Sequence, residues 1–173
     1  MLLERAAPIR LLALDVDGVL TDGKIYFDSA GNELKAFYTR DGLGMKALQR
    51  CGIQLAIITG RESPMVTQRA TELDVEFVYQ GKADKLEAYM DLLDKSGMAE
   101  HEICYAGDDW IDLPVLQRCG LAVTVPDADR EVKDRVHWVT SSSGGEGAVR
   151  EICELILTAQ GHGQRLLQEL LSK

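Results

Sequence analysis

The chain has 173 residues, 46% of them hydrophobic, and a formal net charge of −9, which suits one soluble unit with a substantial core. No basic block is available to neutralise a row of phosphates, so a nucleic-acid surface is excluded, and any anionic ligand must meet a local patch of cations. Neither a long apolar span nor a signal-peptide pattern occurs at 1–10, which leads us to expect a cytoplasmic chain with no membrane partner.

Leu11, Leu12, Ala13 and Leu14 form an apolar run with no polar face, as expected of a strand covered on both sides in a parallel sheet. Asp15, Asp17 and the turn-forming Gly18 follow. Strand alternation brings both carboxylates out on one side just where the strand ends, and a divalent cation with a taste for oxygen ligands, such as magnesium, relieves their repulsion. Next, 24–38 reads as a β-hairpin around the turn-forming cluster 28–32, with Ile25, Phe27, Leu34 and Phe37 apolar and in need of a partner. Asp41 is expected to cap a helix over 42–50.

Further apolar runs at 53–58, 75–79, 103–106, 121–125 and 138–140 alternate with helical patterns, the expectation for a doubly wound parallel sheet with a projecting β-hairpin. Polar residues end several of these runs: Thr59 before Gly60, Lys85 at a helix start, and Asp108 with Asp109. In such folds they share the carboxyl edge of the sheet, where ligands bind. The glycine-rich 141–147 is a flap or a plain connection, a helix follows over 148–159, and the tail 164–173 has a leucine face suited to packing.

Cys51, Cys104, Cys119 and Cys153 lie in apolar segments without metal-site spacing and read as small buried hydrophobes. His101, His137 and His162 fall outside every cluster of polar strand ends. A carboxylate nucleophile, a hydroxyl, an ammonium and further carboxylates around magnesium are what phosphoryl transfer needs, because charge on the transferring oxygens must be held and neutralised.

The motifs DVDGVLTD at 15–22, ITG at 58–60, Lys85 in GKADK, and GDDWID at 107–112 resemble those of the haloacid dehalogenase superfamily of phosphatases over about 9–160. The resemblance implies Asp15 as nucleophile, Asp17 as general acid and base, and Thr59 and Lys85 as grips on the phosphoryl oxygens. Magnesium would be held by Asp15, the Asp17 backbone carbonyl and Asp108. Lys82 competes for the lysine role but fits the motif spacing less well. Asp109 and Asp112 are left between orienting a metal-bound water or Lys85 and plain helix capping.

The segments between motifs hold a hairpin and helices but no cap domain, so an open site calls for a neighbouring subunit as lid. TDGKIY, YTRDGLGMK and GGEGAVRE are similar to the capless branch, which implies a homo-oligomer, a homotetramer built through the hairpin. The same branch implies a small sugar-acid phosphate as substrate, met by Asp17, Tyr38, Thr39, Arg40, Asp41, Gly42, Lys46, Arg61, Arg69 and Lys85, some of them across a subunit boundary. Arg61 favours an eight-carbon over a nine-carbon acid. A receiver-like signalling domain, the non-enzyme alternative, would place its acid pair adjacent after the first strand, and here the order differs.

Overall fold

A computed structural model describes residues 1–172. Its centre is a six-stranded parallel sheet in the order β5-β4-β1-β6-β7-β8: Phe77–Tyr79, Gln54–Ile58, Leu11–Leu14, Ile103–Ala106, Leu121–Thr124 and Trp138–Val139. From β1 the chain first builds outward through β4 and β5, then returns to the other side for β6, β7 and β8. The strand order therefore reverses at β1, and the crevice beyond its carboxyl end is where such a sheet binds ligands.

Alternation along the strands divides the core into two layers. Leu12, Leu14, Leu55, Ile57, Cys104, Ala106, Leu121 and Val123 face one layer, closed by α2 (Thr39–Arg50) and α7 (Ala148–Ala159). On the opposite face, Leu11, Ala13, Ala56, Ile58, Ile103, Tyr105 and Ala122 pack against α4 (Lys85–Ser96) and α5 (Leu113–Leu116). A sheet covered on both faces explains why β1 carries no polar position. Cys104, Cys119 and Cys153 are buried and all four cysteines are free, consistent with a packing role. His137 accepts the Ala122 amide through Nδ1 at 2.9 Å, a structural contact at the sheet edge.

The hairpin is present as β2 (Tyr26–Phe27) and β3 (Glu33–Leu34), a short antiparallel ribbon separate from the main sheet. Ile25, Tyr26, Phe27 and Leu34 are exposed, Phe27 by 65%. Phe37 differs from the expectation: it packs against the core and lies under the Arg69 guanidinium, 5.8 Å from its ring centre. It is therefore not part of the ribbon's apolar surface.

Helix α2 starts at Thr39, earlier than expected, and Asp41 does not cap it. Its carboxylate is buried and accepts the Arg150 amide at 2.8 Å, so Asp41 caps the first turn of α7, a helix distant in sequence. Burial pushes the Asp41 carboxyl up to about 6 against that amide bond and the nearby Arg69 and Arg150. The 141–147 segment is fastened rather than free. The Ser141 and Ser142 amides donate to the Glu151 carboxylate, and Gly145 N–H donates to the Val19 carbonyl at 3.2 Å. Gly144 lies so close that a Cβ there would sit 1.9 Å from the Gly18 carbonyl oxygen.

The tail forms α8 (His162–Leu171), but only Leu166 is buried; Leu167, Leu170 and Leu171 are exposed, so the expected packed leucine face is seated through one residue. Two short helices, α1 (Leu2–Ala6) and α6 (Arg130–Lys133), have too few residues for a periodic pattern to reveal them. None of the described residues forms a helix long and apolar enough to cross a membrane.

Candidate active site

Asp15 is the residue immediately after β1, and Asp108 comes two positions after β6, so adjacent parallel strands deliver both to the crevice. The Asp15 amide donates to the Ala106 carbonyl at 2.9 Å, extending the ladder just far enough to fix the Asp15 backbone. Its Oδ1 accepts from the Val16 amide at 2.7 Å and faces the Lys85 ammonium at 2.9 Å. Lys85 is the first residue of α4, and its Nζ donates to Asp112 Oδ1 at 2.6 Å. Lys85 is buried between two acids, whereas Lys82 is only half-buried.

Asp112 is fully buried. Besides Lys85, it accepts from the Tyr105 hydroxyl at 2.6 Å and from the Asp108 and Asp109 amides at 3.0 and 3.1 Å. Four donors on one carboxylate resolve the open alternatives: Asp112 holds Lys85 and the Asp108 loop in position. Asp109 is exposed and caps the 3-10 turn Trp110–Asp112 through the Trp110 amide at 2.7 Å. Tyr105 was not singled out in the sequence, although a tyrosine inside a fully buried strand needs a partner for its hydroxyl. Thr21 was likewise missed; its Oγ1 accepts the Gly18 and Gly23 amides at 3.3 and 3.2 Å and ties the loop after Asp17.

Carboxylate oxygens of Asp15, Asp108 and Asp112 lie within 4.8 Å of one another. Burial, the Asp112 and Asp108 charges and the opposing pull of Lys85 act together on Asp15, and the balance raises its carboxyl well above the usual range. Burial and Asp112 push Asp108 up to about 6. Burial alone would depress the Lys85 ammonium, but Asp15 and Asp112 outweigh it and keep it charged. Hard oxygen donors held this close with one neighbouring cation suit a small divalent ion. The backbone accommodates them: Gly18 has φ +93°, and a Cβ there would lie 2.0 Å from Asp108 Oδ2. Asp15 and Asp108 can hold magnesium, while Asp112 is already committed to its four donors.

The expected direction of the Asp17 carboxylate requires a correction. Strand geometry ends at Leu14, so alternation does not carry through, and the Asp17 carboxylate is not in this cluster. It instead meets the Lys35 ammonium at 2.5 Å. Thr59 is buried at the end of β4, with its amide bound to the Tyr79 carbonyl at 2.9 Å.

A family model for haloacid dehalogenase-like hydrolases matches residues 75–152. The 3-deoxy-D-manno-octulosonate 8-phosphate phosphatase KdsC of Escherichia coli K12 is 49% identical over 157 residues, 91% of this chain and 84% of that protein. This chain belongs to the haloacid dehalogenase superfamily, in its capless phosphatase branch. Two solved relatives in that superfamily carry the comparison to three dimensions. The 3-deoxy-D-manno-octulosonate 8-phosphate phosphatase of Moraxella catarrhalis, in complex with magnesium, phosphate and KDO, shares 44% identity at TM-score 0.95, covering 98% of this chain and 97% of its own. The Yersinia pestis phosphatase of the same name shares 47% identity at TM-score 0.92, covering 94% and 88%.

The remaining expected contacts of this superfamily member are spread over several places. Arg61 pairs with Glu33 of the hairpin at 2.9 Å, and Glu33 also faces Lys35 at 3.5 Å, so Arg61 joins the Asp17 side of the site. Tyr38 and Arg40 line a polar hollow with Ser142, Glu146 and Arg150; Thr39 is exposed beside them. Lys46 pairs with Asp74 at 2.5 Å, and Arg69 lies over Phe37. Asp41 and Gly42 are buried, and their side of α2 is closed by Arg69 and α7, which denies Asp41 to a ligand in this chain's own crevice.

Proposed function

We propose that this chain hydrolyses 3-deoxy-D-manno-octulosonate 8-phosphate to the free sugar acid and phosphate, in the cytoplasm, as a step toward lipopolysaccharide precursors. The observation that carries the reading is the buried Asp15–Lys85–Asp112 network beside Asp108, in a chain 44% identical to a phosphatase solved with magnesium, phosphate and KDO.

Asp15 attacks phosphorus, and the bond from phosphorus to the sugar oxygen breaks as Asp17 gives its proton to the departing alkoxide. Water then attacks phosphorus, Asp17 takes the water proton, and the bond from Asp15 to phosphorus breaks. Two displacements replace one difficult step. Lys85 and Thr59 grip the phosphoryl oxygens, and Lys85, held charged between two acids, offsets their growing negative charge. Asp15, Asp108 and the Asp17 carbonyl would hold magnesium, which when bound neutralises the acids and the phosphoryl charge. Arg61 takes the substrate carboxylate, a task suited to a guanidinium fork. Tyr38, Thr39, Arg40, Lys46 and Arg69 complete the substrate contacts, some of them reaching a neighbour's site across a subunit boundary. Asp41 and Gly42 shape the backbone of that segment.

A panel of sugar-acid phosphates assayed with and without magnesium tests the reading. Phosphate release from the eight-carbon ester should exceed that from a nine-carbon ester by about tenfold or more in kcat/KM, a difference of roughly 1.4 kcal/mol. A preference for the nine-carbon acid would move the assignment to that substrate. Excess chelator should stop turnover and added magnesium restore it; turnover that survives chelation would contradict the metal role.

The assembly is a homotetramer closed through the hairpin, whose exposed Ile25, Tyr26, Phe27 and Leu34 offer an apolar surface. Phe27→Glu should give smaller assemblies in sedimentation velocity, and an unchanged tetramer would put the interface elsewhere.

A further inference from the structure

Lys35 stands outside every motif of the active site, yet its side chain is only 2% exposed. It sits directly after β3, at the root of the hairpin, and its ammonium meets Asp17 Oδ1 at 2.5 Å and Glu33 Oε1 at 3.5 Å. Glu33 Oε1 is in turn held by Arg61 at 2.9 Å. A buried ammonium is costly to desolvate, and removing one partner of such a pair leaves a charge uncompensated. The contact therefore fixes the hairpin root against the loop after β1 and holds one oxygen of Asp17.

We infer that Lys35 is a positioning residue that orients the Asp17 carboxyl toward the departing alcohol. With Oδ1 held by Lys35, Oδ2 is the oxygen left free to face the departing alcohol. Asp17 lies on a loop beyond the end of β1, where strand geometry no longer directs its side chain. Proton transfer requires the acid to be within hydrogen-bond reach of the leaving oxygen in a defined orientation. Asp15 needs no such help, because the Val16 amide and Lys85 already fix it. The hairpin thus serves the chemistry of its own chain as well as offering an apolar surface.

The inference rests on the phosphatase reading, and leaving-group dependence separates the two. Lys35→Met is compared with wild type on three esters: the eight-carbon sugar-acid phosphate, phenethyl phosphate and p-nitrophenyl phosphate. The first two release alkoxides that need a proton, the second lacks a carboxylate, and the third releases a phenolate that departs unaided. We compare kcat/KM, which covers steps through departure of the alcohol and leaves out the later base role of Asp17.

Expected is a loss of about 100-fold on both alkyl esters against less than about 3-fold on the aryl ester. Loss on the sugar acid alone would make Lys35 a ligand for the substrate carboxylate and overturn the inference. Equal loss on all three would make it a structural anchor and also overturn it. Lys35→Gln, which keeps a polar end without the charge, should show the same pattern and provides the comparison if the methionine variant does not fold. Asp15→Asn run alongside should be inactive on all three; if it turns over, the phosphatase reading fails and takes this inference with it.

Discussion

Asp15→Asn should lower phosphate release by about 10⁴-fold or more, because an amide cannot accept the phosphoryl group that the carboxylate carries. The same change should raise the thermal stability of the metal-free protein. Asp15 is pressed upward by burial and by the Asp112 and Asp108 charges, and Lys85 does not offset them fully. Its folded value exceeds the ordinary 3.8, so the folded state holds its proton more tightly than the unfolded state. Stability from this group is accordingly greatest at low pH and declines as pH rises from about 4 toward the raised value. Asparagine removes that slope while Lys85 keeps its bond to Asp112. Differential scanning in chelator at pH 8 should show a melting point higher by about 2–4 °C, the equivalent of about 1 kcal/mol in a chain of this length. Added magnesium should stabilise wild type more than the variant. A variant that melts lower in chelator and follows the wild-type pH slope would mean that the acids are not in conflict in the folded chain.

The contrast between Asp15 and Asp17 shows where the sequence was legible. Apolar runs ending in polar residues located β1, β4 and β6, and hence the crevice edge, because burial on both faces leaves a mark in every residue of a strand. The motifs then named Asp15, Thr59, Lys85 and Asp108. What periodicity could not supply was the direction of a side chain just past a strand end. Alternation put the Asp17 carboxylate on the same side as that of Asp15; instead it turns to Lys35, a partner supplied by the hairpin root. Asp41 failed for a similar reason. A short polar residue before an apolar run reads as a local cap, but the amide it accepts belongs to Arg150 on α7, and no local pattern reports so distant a contact. Tyr105 and Asp112 were visible as residues and opaque in role, since their hydrogen bonds depend on how β6 packs against α4. The glycines of 141–147 suggested mobility by composition, yet Gly144 is there to let two backbones touch.

Asp112→Ala should be the most destabilising change in the site, although Asp112 touches no substrate in the proposed reaction. It accepts Lys85, the Tyr105 hydroxyl and two backbone amides while fully buried, so truncation strands several donors at once. Each unpaired buried donor costs roughly 1–3 kcal/mol, but relaxation and entering water recover part of the sum, leaving about 3–5 kcal/mol, as for other broken buried charge pairs. One opposing effect is the relief of repulsion on Asp15 and Asp108, and it is smaller because Lys85 already sits between Asp15 and Asp112. Urea unfolding should show the loss directly. At temperatures where the variant stays folded, kcat should still fall by about 10²–10³-fold, because Lys85 is no longer held at the phosphoryl oxygens and the Asp108 loop loses both amide anchors. Asp109→Ala provides the comparison. Its carboxylate is exposed and caps a single 3-10 turn, so it should cost about 1 kcal/mol and leave kcat within a few-fold. If the two alanine variants unfold at the same urea concentration, the buried network does not bear the weight assigned to it. If Asp112→Ala is unstable but turns over at the wild-type rate, then Asp112 supports the fold alone and Lys85 finds its position without it.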